Sequence, residues 1–190
     1  HDFSFGHKGE GDFNIAKKLG DQWGIQVEQV KPFLWDGQIV SSSKIRHSLK
    51  QSDLSTAHKM LGRLFTIEGL VIRGESIGRT LGFPTANLKV DNIIPGIGVY
   101  AGYVDWENKQ WKAVLNIGRR PTVGQNKDLS IECHLIDFSG DLYDQKIKFN
   151  FIDKIRDEMK FSDMMALKNQ ISIDVDRADQ IIKRSGLFEQ

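Results

Sequence analysis

The sequence holds one cysteine, Cys133, so no disulfide can form within the chain and the fold has to rest on packing. A lone thiol suits a reducing, cytoplasmic compartment. An excess of one charge is also missing: 26 Lys and Arg face 25 Asp and Glu, for a net charge of +1. That balance leaves no basic footprint for nucleic acid. No apolar run approaches the roughly 20 residues of a membrane-spanning helix, so no membrane partner is expected. The His and Cys residues show no zinc-ligand spacing, and no zinc is expected. The opening "HDFSFGHKGEGDF" has no initiator Met, no charged leader and no apolar core of a signal peptide. It is expected to lie inside a folded domain, and the chain to be a fragment of something longer. Repeats and low-complexity tracts are absent.

What is present is a globular composition, 39% hydrophobic and 27% charged over 190 residues. Two textures divide it. Residues 1–58 read as α/β. "GDFNIAKKLGDQWG" has helical spacing, "IQVEQVKPF" alternates like a strand, and "SSSKIRHSLKQSD" and "DLSTAHKMLG" read as short helices, the latter ended by Gly62. From residue 63 the pattern has period two: "LFTIEGLVIRG", "GVYAGYVDW", "QWKAVLNIG", "LSIECHLIDF" and "QKIKFNFI", with turn residues between them. Strands that follow one another without helices predict an antiparallel sheet closed into a small barrel. The tail predicts one amphipathic helix from near Ser162, although "ISIDVD" within it also alternates. The expected domains are 1–58 and 59–190.

Several residues have a chemical reading beside a plain one. "GESIGRTLG" supplies Gly74, Gly78 and Gly82, which either let backbone N–H groups approach a phosphate or simply turn the chain. The loop does not match the P-loop pattern, and no helix obviously follows it. Thr85 and Asn87 lie two apart on one face of an extended segment. They are either turn residues or hard oxygen ligands suited to Mg²⁺. On "LSIECHLIDF", Ile131, Cys133 and Leu135 share the interior face, while Glu132 and His134 share the other. Glu132 is either solvated surface or a general base. If a base, its site lies outside the barrel wall under loops. His134 reads as an exposed or cross-strand histidine, and Cys133 as packing. "KIRDEMKF" contains Arg156, Glu158 and Phe161, either in a solvated linker or in a lid with one aromatic ring for a planar ligand.

In order, "GRTLGFPTANL", "GVYAG", "NIGRRPTVG", "ECHLIDFSGDLY" and "IRDEMKF" closely resemble riboflavin kinase, from about residue 62 to the end. "HDFSFG" and "SSSKIR" are similar to the end of the FMN adenylyltransferase domain found in bacterial bifunctional riboflavin kinase/FAD synthetases, with Ser43 where Thr is common. The resemblance implies a mainly β fold: a six-stranded antiparallel barrel with a C-terminal helix, preceded by an α/β fragment of a nucleotidyltransferase domain. "TANLKV" would be the sixth strand. It implies that Thr85 and Asn87 bind Mg²⁺ with the ATP phosphates, that Gly78, Arg79 and Gly82 flank those phosphates, and that Glu132 is the catalytic base. It assigns Arg156, Glu158 and Phe161 to the flavin side, and Asp2, Phe5, Gly6, Ser41, Ser42, Ser43 and Arg46 to the adenylyltransferase remnant. The implied substrates are riboflavin and ATP, and the implied products FMN and ADP, with no covalent cofactor. FAD formation is expected only in a full-length parent. The competing expectation is a flavin- or nucleotide-binding barrel without catalysis.

Overall fold

The computed structural model describes residues 3–74, 77–119 and 129–188. The chain separates into two compact units, residues 1–41 and 42–190. In the first, helix α1 (Phe13–Trp23) starts at Asp12, whose carboxylate accepts from the Ile15 N–H at 2.9 Å. This satisfies one of the donors that a helix start leaves open. It stops at Gly24, in the left-handed region at φ 66°. The alternating stretch that follows is not the expected strand. The Ile25 N–H bonds back to the Gly20 carbonyl at 2.8 Å. Val27 lies so near Gly20 that a Cβ on that glycine would meet Val27 Cγ2 at 2.5 Å. The segment thus packs on α1 instead of pairing in a sheet. The strands of this unit are a small hairpin, β1 (Leu34–Trp35) and β2 (Gln38–Ile39).

The second unit begins with α2 (Ser42–Lys50) and α3 (Leu54–Leu61). Asp53 caps α3 through the Thr56 N–H at 3.0 Å, and Gly62 ends it in the left-handed region, as its position predicts. Leu49, Leu54 and Ala57 are buried in one cluster with Ile67, Val71, Phe149 and Phe151. The packing boundary therefore falls between Ser41 and Ser42, not at 58/59. The change of texture at residue 63 marks a change of secondary structure within one core.

Six strands follow: β3 (Thr66–Ile72), β4 (Ala86–Lys89), β5 (Gly98–Trp106), β6 (Lys109–Arg119), β7 (Leu129–Leu135) and β8 (Lys146–Arg156). They form the expected closed antiparallel barrel, in the order β3-β4-β7-β6-β5-β8. The pleat sorts their side chains: Ile131, Cys133 and Leu135 on β7 are 7%, 0% and 5% exposed and point inward. The interior is filled by rings, with Phe151 edge-on to Tyr100 at 5.3 Å and to Phe149 at 4.8 Å. Gly102 lies beside an irregularity in the β5–β8 pairing, where a Cβ would press into the Phe149 ring at 2.6 Å. β8 runs further than its alternating pattern predicts, through Lys154 and Arg156, because β5 continues to pair with it.

The C-terminal helix α5 (Met164–Ser185) is continuous and contains the ambiguous "ISIDVD". Asp163 caps it, accepting from the Ala166 N–H at 2.8 Å. Its Ala178 and Ile182 pack on Val99, Ala101 and Val114, which face outward from β5 and β6. Lys112 on β6 reaches Asp179 at 2.7 Å, and this contact, followed by Lys183, holds the Asp179 carboxyl below the usual range. No helix among the described residues is long and apolar enough to cross a membrane.

Phe149 is wholly buried between Phe151 and Gly102. Phe149→Ala is expected to cost about 3–5 kcal/mol, read as a lowered urea midpoint with the antiparallel-sheet circular dichroism retained below it.

Candidate active site

Strand register brings the polar residues together. Asn87 on β4 lies directly opposite Glu132 on β7, and Glu132 lies opposite Asn116 on β6. Opposed residues of an antiparallel pair share a face, with Cβ atoms about 4.5–5.5 Å apart. That face is the outer one, because the neighbours Leu88, Cys133 and Leu115 are interior. A row thus crosses the wall from Asn87 through Glu132 to Asn116. Asn87 is 7% exposed. The Glu132 carboxylate is oriented by Ser130, whose hydroxyl donates to Oε1 at 2.8 Å.

The segment before β4 packs against the Asn87 end of this row. Ile77–Thr80 forms a single helical turn, α4, so a short helix does occur in the glycine-rich loop. Gly82 then turns the chain at φ 90°, and the Phe83 N–H returns to the Gly78 carbonyl at 2.8 Å. Two glycines permit close approach. A Cβ on Gly78 would lie 3.1 Å from Thr85 Oγ1 and would collide with the Phe83 carbonyl. A Cβ on Gly74 would lie 2.8 Å from Asn87 Oδ1 and closer still to the rest of the amide. Thr85 and Asn87 are therefore each seated against a glycine of the same loop. Glu75 and Ser76 of that loop, and residues 120–124 of "NIGRRPTVG", lie outside the described residues.

Thr85 also lines a cleft of about 420 Å³ with Arg79, Pro84, Phe138, Asp141 and Tyr143. Asn87 and Glu132 are not among its lining residues, and Thr85 marks where the cleft meets the outer row. A larger, open cleft of about 570 Å³ lies at the opposite end of the β5–β6 hairpin, around Asp105–Gln110 and Lys146–Lys148, and holds none of these groups.

The third cluster is at the end of β8. Glu158 Oε1 accepts from the Arg119 N–H at 3.1 Å and lies above Gly118, beside the Asn116 end of the row. Arg156 points elsewhere. Its Nε and a terminal nitrogen grip the carboxylate of Asp174 on α5 at 2.7–3.0 Å, and Nη1 donates to the Asp157 carbonyl at 2.9 Å. Its guanidinium also lies 5.8 Å from the centre of the Phe161 ring. Asp174 is 2% exposed, so this is a buried ion pair that ties the strand end to the helix.

Of the remnant residues, Phe5, Gly6 and Ser41 belong to the first compact unit and Ser42, Ser43 and Arg46 to α2 in the second; Asp2 lies outside the described residues. Phe5 pairs in a backbone bridge with Gly11. Sequence reasoning missed Asn116, Ser130 and Asp174. Period two would have put Ser130 on the Glu132 face, but the other two depend on register and tertiary packing.

Among the described residues no three His, Cys, Asp or Glu side chains gather as a metal cage. A threonine hydroxyl, an asparagine amide and a carboxylate are hard oxygen donors. That set fits a cation such as Mg²⁺, which takes few protein ligands and keeps waters and phosphate oxygens.

Taken together these features define a closed antiparallel barrel with an oxygen-rich row on its outer wall beside a cleft. Comparison with known proteins gives the family. The riboflavin kinase (Flavokinase) family model matches residues 61–182, and the chain belongs to that family. It is 41% identical over 175 residues to the bifunctional riboflavin kinase/FMN adenylyltransferase of Pseudomonas fluorescens, covering 92% of this chain and 56% of that protein. The protein of the same name from Haemophilus influenzae is 40% identical over 179 residues, covering 93% and 58%. A solved structure described as a macrolide-efflux protein from Streptococcus pneumoniae matches with a TM-score of 0.79 at 28% identity, covering 94% of this chain and 58% of its own. The chain spans a little over half the length of these relatives.

Because the Asn87 amide occupies the space a side chain on Gly74 would need, Gly74→Ala is expected to displace it at a cost of about 1–3 kcal/mol. Denaturant midpoints and the Asn87 side-chain NMR resonances would register this; unchanged resonances would contradict it.

Proposed function

We propose that this chain is an ATP:riboflavin 5′-phosphotransferase, converting riboflavin and ATP to FMN and ADP. The observation that carries the reading is the cross-strand pairing of Asn87 with Glu132, next to a Thr85 that opens onto the cleft. A barrel that merely bound a flavin would have no need of a base facing a metal-ligand pair.

Nucleotide is proposed to occupy the cleft, with its phosphates toward Arg79, Thr85 and the Gly78–Gly82 turn. Phe138 and Tyr143 supply apolar area at the other end. Thr85 Oγ1 and Asn87 Oδ1 would hold Mg²⁺, which when bound neutralises charge on the transferring phosphate. The ribityl hydroxyl approaches along the outer row. Glu132, oriented by Ser130, accepts the hydroxyl proton as that oxygen bonds to the γ-phosphorus and the bridging bond to ADP breaks. Glu158, bonded to the Arg119 N–H, borders the flavin side. Arg156 acts there as a clamp: committed to Asp174, it orients the segment that carries Glu158 and Phe161.

Residues 1–58 are proposed to derive from the C-terminal part of an FMN adenylyltransferase domain, whose longer parent also makes FAD in the cytoplasm. In support, the relatives are named for both activities, and the first unit leaves Phe3, Trp23, Val30 and Phe33 at least 65% exposed. That much bare apolar surface is what a unit separated from its packing partner would show.

Two outcomes test these readings. Glu132→Gln keeps the shape of the side chain but removes the base. Turnover of riboflavin to FMN should fall about 10²–10⁴-fold with flavin binding retained, and near-normal turnover would sink the assignment. Given FMN and Mg-ATP, the chain by itself should yield no FAD; chromatographic detection of FAD would refute the partial-domain reading.

A further inference from the structure

We propose that His134 is a positioning residue for the nucleotide end of the site, holding the peptide unit that carries Thr85; its kinetic consequence rests on the kinase reading above. His134 shares the outward face of β7 with Glu132, two residues away. The β4–β7 pairing runs from Asn87↔Glu132 to Ala86↔Cys133 and ends there. One step further, Thr85 would face His134, but β4 begins only at Ala86. The cause is Pro84, which has no N–H and cannot extend a ladder.

The Pro84 carbonyl is instead taken by a side chain. His134 Nδ1 lies 2.8 Å from Pro84 O. A carbonyl oxygen only accepts, so Nδ1 carries the hydrogen. The carbonyl of Pro84 and the N–H of Thr85 belong to one rigid peptide plane. Fixing the carbonyl fixes the plane from which the Thr85 side chain projects. The Phe83 ring meets the imidazole edge-on at 5.6 Å, which holds the ring that makes the bond. On the other flank, Gly78 presses against the Phe83 carbonyl and Thr85. The Thr85 hydroxyl is thus located from two sides, by the α4 turn and by β7. Only the β7 contact is a side chain that can be changed without altering the loop.

The test compares three variants of the full chain. Asparagine can present its Nδ2 where histidine has Nδ1, whereas the glutamine amide lies one bond further out. His134→Ala and His134→Gln should raise KM for Mg-ATP about five- to tenfold, the worth of one hydrogen bond, with kcat and the riboflavin KM within about twofold of wild type. His134→Asn should recover to within about twofold of wild type. An Asn variant as impaired as the Ala variant overturns the proposal, and so does a loss of kcat at unchanged Mg-ATP KM. Nitrogen NMR of the imidazole in the ligand-free protein gives a reading without catalysis: Nδ1 should bear hydrogen, and an Nε2–H tautomer overturns the assignment. If the wild-type chain formed no FMN, the kinase reading would fail, while the tautomer and a direct Mg-ATP titration of the three variants would still decide the role of His134.

Discussion

Strand β8 pairs with β3 on one edge and with β5 on the other, and the rest of the structure depends on that double pairing. A strand with one partner leaves a row of open backbone groups, and closure removes both edges of the sheet at once. Closure also commits every strand to one register, since a slip of one residue would turn Phe149 and Phe151 out of the barrel and Asn150 into it. The interior rings of Tyr100, Phe149 and Phe151, all fully buried, enforce the choice. The polar row of Asn87, Glu132 and Asn116 consequently stands on the outer wall.

The outer wall is then divided. Helix α5 takes the part formed by Val99, Ala101 and Val114, where the sequence is apolar on both faces of the strand. The part formed by Asn87, Glu132 and Asn116 is polar and is approached by loops instead. Arg156 and Asp174 sit where the two meet, so one buried ion pair fixes both the helix and the start of the segment that carries Glu158. An unpaired Arg or Asp there would leave a buried charge uncompensated, which is far costlier than losing a surface contact. The clamp therefore has a structural part in holding the end of β8 to α5, although the residue type alone suggests direct contact with a ligand.

Much of this was legible in the sequence, for identifiable reasons. Five of the six strands follow from period-two patterning, and the sixth, β4, was expected only from the resemblance of "TANLKV". The same rule failed at Ile25 and Val27: alternation needs a neighbouring strand to mean a sheet, and there the partner is α1. "ISIDVD" was ambiguous because its apolar residues satisfy both periods, and the Asp163 cap with Ala178 and Ile182 beyond it settles for the helix. The joint core of α2, α3 and the barrel was hidden because texture reports secondary structure, whereas packing joins elements of different texture. For the site, Thr85 and Asn87 were recognisable as a pair, but nothing local could say that Glu132, 45 positions beyond Asn87, stands opposite it. That is a property of register. The commitment of Arg156 to Asp174 was equally unreadable, being a contact between a strand end and the middle of a later helix.

The proline of "PTAN" joins these levels. It shortens β4, so the chain leaves the sheet one residue before Asn87's neighbour and Thr85 escapes the ladder. An oxygen ligand at a strand end can face both the outer wall and a cleft, which one inside the strand cannot. Freedom from the ladder carries a cost, because an unpaired peptide has no fixed plane, and a hydroxyl on it would sample several directions. His134 supplies from a side chain a donor to the Pro84 carbonyl, which lies beyond the end of the ladder. The arrangement thus separates two demands on one residue: the sheet sets where Asn87 and Glu132 stand, and a side-chain bond sets where Thr85 points.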